Sequence, residues 1–234
     1  MREWRRKRLS LEDSVRRLTA AAGIAVALLA LTACRSNPSV AAYVGDQSFT
    51  EDKVTTLTEQ AAKVQETAQP GDDAAIRTHV VQLLIYNTLC KRIAAEKGVK
   101  LPAAEARPSE YETLSQETQA CVQALPLDQM KPSDEDLRKV YDNGVKAGVL
   151  DGKQPFEQTK AELAGNPQVA GAIAVYRVLT EAAKAADVTV NPRYRPLDLP
   201  VLTAGERGPV LSAPFGIQDS AVSDSVQEPA VSSS

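Results

Sequence analysis

One histidine, His79, and three cysteines, Cys34, Cys90 and Cys121, are all the imidazole and thiol groups in 234 residues. That is too few for a zinc site of ordinary ligand spacing. Aromatic residues make up only 4% of the chain while alanine is abundant, which disfavours a β-sandwich and favours packed helices. No Gly-rich phosphate loop or P-loop lysine is present. No apolar run reaches the roughly 20 residues that a membrane-spanning helix needs.

A basic footprint is also missing from most of the chain. Residues 1–33 hold seven of the 27 basic residues and three of the 30 acidic ones, which leaves 20 against 27 from Cys34 onward. The remainder carries a net charge near −7. Nucleic-acid binding needs the opposite balance and is not expected.

What is present begins with a signal. Residues 1–19 are basic, and residues 20–32, "AAAGIAVALLALT", form an apolar run of 13 residues. That length suits the core of a secretory signal. Leu31, Thr32, Ala33 and Cys34 follow in the order aliphatic, small, small, cysteine. This stretch resembles the bacterial lipobox. The resemblance implies cleavage between Ala33 and Cys34, and a diacylglycerol on the Cys34 thiol as the one covalent group. It also implies lipid anchoring on the extracytoplasmic face of a bacterial membrane. The alternative is an ordinary signal peptide or anchor helix with Cys34 incidental. "RRKRL" has paired arginines, but the residues after them do not match a twin-arginine signal.

From Cys34 to Ser39 runs a polar tether. Residues 40–50, "VAAYVGDQSFT", alternate as a short strand and turn, with Gly45-Asp46 at the bend. Thr50 caps a first expected helix, with Glu51 and Asp52 opposing its dipole and Val54, Leu57, Ala61, Val64 and Ala68 on one face. Gln69-Pro70-Gly71 ends it. A second helix starts near Asp72, buries Ile76, Val80, Leu83, Leu84, Ile93 and Ala94, and stops at Gly98. Pro108 and Ser109 open a third, with Tyr111, Leu114, Thr118, Cys121, Val122 and Leu125 on one side. Ser133 caps a fourth, three residues before Asp136, with Leu137, Val140 and Tyr141 facing inward. A fifth runs from Pro155 to about Ala186, bent or interrupted at Gly165-Asn166-Pro167. Residues 187–194 read as a second strand. Residues 196–234, rich in Pro, Ser, Gly and Val, read as a disordered tail.

Three stretches carry a resemblance to the SurA- and PrsA-type extracytoplasmic chaperones. "VAAYVGDQSFTEDKV" (40–54) resembles the entry to their helical domain, and "AAKAADVTVNPRY" (182–194) resembles its exit. "KPSDEDLRKVYD" (131–142) looks like the helix that precedes their isomerase insert. The resemblance covers residues 40–195. It implies a mainly α fold, a bundle of about five helices closed by pairing of the N- and C-terminal strands. It also implies a non-catalytic binder of unfolded or partly folded exported polypeptides, attached to the membrane through its lipid, with no small-molecule substrate. One departure stands out. Only 13 residues, "DNGVKAGVLDGKQ", separate Tyr141 from Pro155, where relatives carry a parvulin domain of on the order of a hundred residues. The isomerase is therefore expected to be absent.

No Ser/His/Asp or Cys/His spacing offers His79 a catalytic partner, so no catalytic residue and no metal site is assigned. Cys90 and Cys121 lie on consecutive expected helices. They are either a disulfide or two buried thiols, and an oxidising compartment favours the bond. The functional alternatives are an envelope-assembly or scaffold lipoprotein without client binding, or a residual prolyl isomerase. A continuous exposed apolar cleft would favour the chaperone-like binder, and a uniformly polar surface the scaffold.

Overall fold

A computed structural model describes residues 37–64, 73–105, 107–127 and 130–215. The signal, the Ala33–Cys34 junction, Ala68 and residues 216–234 lie outside the described residues. Residues 39–215 are mainly helical, with six α-helices among the described residues and two small antiparallel sheets.

The chain enters on β1 (Val40–Val44) and turns at Gly45 into β2 (Gln47–Thr50). Gly45 has φ +61°, a left-handed conformation that favours glycine, and the end of the Arg92 side chain lies over it. Helix α1 (Glu51–Val64) follows, its Lys53 amide donating to the Thr50 hydroxyl at 3.2 Å. Val54, Leu57, Thr58 and Ala61 are its buried face. Val64, expected on that face, is 49% exposed, because it sits at the end of the helix.

Helix α2 (Asp73–Glu96) is the central element, with eleven buried residues from Ile76 to Ala94. Gly98 closes it in the left-handed region, φ +65°, while the Val99 amide donates back to the Ala94 carbonyl. Helix α3 (Glu110–Ala124) starts at the Ser109 cap. Helix α4 (Asp134–Lys146) starts at a full capping box, in which Ser133 and Asp136 each satisfy the other's amide.

The expected long fifth helix is two helices, α5 (Phe156–Gly165) and α6 (Pro167–Ala185). Asn166 makes the break. Its side chain accepts from the amides of Gln168 and Val169, so it caps α6 rather than continuing α5, and Pro167 takes the first helical position. Pro155 stands just outside α5 as its N-cap.

The expected closure of the two strand ends is present. β3 is only Thr189–Val190, pairing antiparallel with β1 through Ala42↔Val190 and Tyr43↔Thr189. Asn191 extends the join, since its amide donates to Ala41 O at 2.9 Å and its Nδ2 to Val40 O at 3.0 Å. The rest of the expected strand is a 3₁₀ turn, Pro192–Tyr194, capped by Asn191. That turn swings Tyr194 inward. Its hydroxyl donates to Glu51 Oε2 at 2.7 Å and accepts from Arg77 Nε at 3.1 Å, while Arg77 Nη2 also reaches Glu51 Oε2 at 3.0 Å. One carboxylate thus ties together the start of α1, the first turns of α2 and the end of the helical body.

The tail expectation is corrected for residues 197–215. They form a hairpin, β4 (Leu197–Thr203) and β5 (Pro209–Phe215), with Leu197 facing Phe215 and Leu199 facing Ala213. Leu197, Leu199, Val210, Leu211, Ala213 and Phe215 are all buried. The prolines that suggest disorder are tolerated because each strand of a two-stranded sheet has one edge with no ladder to serve. Gly205 (φ +61°) and Gly208 (φ +88°) make the turn.

Two apolar cores result. The larger joins β1, β2, α1, α2, α3, the C-terminal half of α6 and the open end of the hairpin. The smaller joins Leu137 and Val140 of α4, Phe156 of α5, Val169 and Ile173 of α6, and Val210 and Leu211 of β5.

Candidate functional site: a groove between the second and third helices

Helix α3 lies beside α2 and runs in the same direction. Tyr111 meets His79 edge-on at one end, with ring centroids 6.5 Å apart. Asn87 Nδ2 donates to the Thr118 hydroxyl at 3.0 Å in the middle, and Cys121 is joined to Cys90 further along. The cysteine pair is a disulfide with Cα atoms 6.2 Å apart, a usual separation for that bond. Both cysteines are buried, at 0% and 1% exposure. Lys91 and Glu117 pair on the surface beside it.

This clamp leaves a groove of about 500 Å³ on one side of the helix pair. Helix α2 contributes His79, Leu83 and Tyr86, which share a face by their spacing of four and three. Helix α3 contributes Ser115, Gln119, Val122 and Gln123, and Thr118 behind them. Leu199 of β4 completes the wall. No lysine, arginine, aspartate or glutamate lines it. Burial pushes the Tyr86 phenol up to about 12, so its hydroxyl stays neutral at any physiological pH. Partial desolvation by the same walls holds the His79 imidazole below its ordinary value.

The remaining expected site residues fall as follows. Cys90 and Cys121 are together, as a buried cross-link. Cys34 and Ala33 lie outside the described residues. His79 is exposed at the rim of the groove, against a tyrosine ring rather than an acid or a nucleophile. Among the described residues, no group of three or more His, Cys, Asp or Glu side chains could hold a metal ion. Nor is any described helix long and apolar enough to cross a membrane. Sequence reasoning missed the groove itself. The spacing of 79, 83 and 86 was available, but Leu199 lay in the segment read as tail.

Nine residues, 147–155, join α4 to α5. The join is folded down. Leu150 packs at 3.1 Å from where a Cβ on Gly144 would stand, the Tyr141 hydroxyl donates to Gln154 O at 2.6 Å, and Arg207 reaches Gly148 O at 2.6 Å. A second hollow, of about 540 Å³, lies between α4, α6 and the hairpin, and it differs in character because Lys146 and Asp198 line it.

No model of a known protein family, no curated protein and no solved structure matches this chain.

Proposed function

We propose that the chain is a lipid-anchored extracytoplasmic protein of the SurA N-terminal-like kind, and that it holds apolar segments of exported polypeptides without covalent chemistry. The groove between α2 and α3 carries this reading. The surface it presents is mostly apolar, it is free of formal charge, and it is open along one side, which suits a side chain cluster from an unfolded chain. The glutamine, serine and threonine side chains along α3 offer hydrogen bonds to the backbone of an extended segment. The tight α4–α5 join supports a binder without an isomerase. Cys34, as the first residue after signal removal, supplies the tether through its lipid.

The test is light scattering of a chemically denatured client diluted into buffer. Full-length protein at severalfold molar excess is expected to suppress aggregation. Unchanged scattering would leave the scaffold reading in its place.

A further inference from the structure

The groove has one wall residue whose charge changes within a physiological range, and it is the only histidine of the chain. Resting on the client-binding reading above, we propose that His79 makes the groove a pH-sensitive site: neutral imidazole leaves an uncharged wall that takes an uncharged apolar segment, and protonation places a cation there that releases it.

The surroundings explain why this one group would dominate. Several charged residues of the flanking elements have partners away from His79. On α3, Glu110 pairs with Lys53, Glu112 bonds the Ser109 hydroxyl and Glu117 pairs with Lys91. On α2, Arg77 is held by Glu51. On β4, Asp198 is exposed and lines the other hollow. The titratable side chains that share the site are tyrosines: Tyr111, edge-on to the His79 ring, and Tyr86, neutral as argued above. Among the described residues no carboxylate lines the groove to compensate an imidazolium, and an apolar segment covering the rim would bury that cation unpaired. A bound segment and a proton consequently oppose one another. Desolvation by the walls already biases His79 toward the neutral form, and a segment in the groove would bias it further.

The experiment measures the affinity of full-length protein for a fluorescent peptide of uncharged apolar residues, from about pH 7.5 to about pH 5, a window in which the histidine titrates and carboxylates largely do not. Wild type is expected to lose about three- to tenfold in affinity across it. His79→Gln, whatever its affinity at the upper pH, is expected to show a flat profile. Gln119→Lys, which fixes a cation in the same groove, is expected to bind weakly at every pH. Circular dichroism of each variant checks folding. A flat wild-type profile, or a slope that survives in His79→Gln, would overturn the switch while leaving the client-binding reading intact. Absence of binding at every pH would overturn both.

Discussion

The two apolar cores are built by different means. The larger one is cross-linked. Cys90–Cys121 ties α2 to α3 at its centre, and the Asn87–Thr118 hydrogen bond and the Glu51–Arg77–Tyr194 cluster fix its edges. The smaller one has no covalent tie. Leu137, Val140, Phe156, Val169 and Ile173 are closed by two residues of the hairpin, Val210 and Leu211, and the Asp136–Arg177 ion pair joins α4 to α6 beside them. Helix α6 belongs to both, with Ile173 in the smaller core and Leu179 in the larger. The cross-linked half carries the groove, whereas the other half holds the short join between α4 and α5.

The largest break in this comparison is removal of the cross-link. Replacing both Cys90 and Cys121 with alanine frees a loop of 31 residues' separation in the unfolded chain. In the chain-entropy model that costs about 3.5 kcal/mol, and roughly 10 °C in Tm for a domain of this size. Hydrogen exchange should rise first in α2 and α3, with protection of α4 and α5 less affected. Equal loss in both halves would mean that the two cores unfold as one unit.

A somewhat smaller effect is expected from the hairpin. Leu211 is 3% exposed and packs against the smaller core, so Leu211→Ala should cost about 3 kcal/mol by creating a cavity. Exchange protection should fall in α4 and α5 while the groove peptide still binds. Loss of peptide binding in this variant would show that the hairpin, which also supplies Leu199, transmits between the two halves.

That hairpin is also where sequence and structure part company. The helix starts were legible because caps are local: Thr50, Ser109 and Ser133 each bond an amide within three residues. The cysteine pairing was half legible, since compartment favours a bond but only folding brings α2 and α3 side by side. The hairpin was not legible. Pro200, Pro209 and Pro214 remove ladder donors and lower any strand expectation, and their tolerance depends on which edge of the sheet each faces. The pattern Leu197, Leu199 and Val201 on one strand has the right period, but its value lies in an apolar surface supplied by α6 and, far upstream, by α2. The groove was hidden for the same reason. Its α2 and α3 faces are periodic, yet helical periodicity alone does not separate a buried stripe from an open wall.

The smallest effect sharpens the contrast by pH. Asp136 is 8% exposed at its side chain and Arg177 28%. Burial alone would raise the Asp136 pKa, but hydrogen bonds from Ser133 and Arg177, with the guanidinium charge, hold the carboxyl below the usual carboxylate range. A folded-state pKa below the unfolded one means stabilisation that is fully present above about pH 4 and lost as the pH falls through the folded value. Asp136→Asn should therefore cost about 1–2 kcal/mol near neutral pH, part of it from the weakened capping box. The gap between variant and wild type should close progressively below about pH 4, in urea melts followed at each pH. Because the ion pair lies between α4 and α6, the acid-sensitive amides should be those of the smaller core. The disulfide does not titrate, and the protection of α2 and α3 should persist to lower pH. A constant gap across the range would show that neither the ion pair nor the charged cap contributes through the ionised carboxylate.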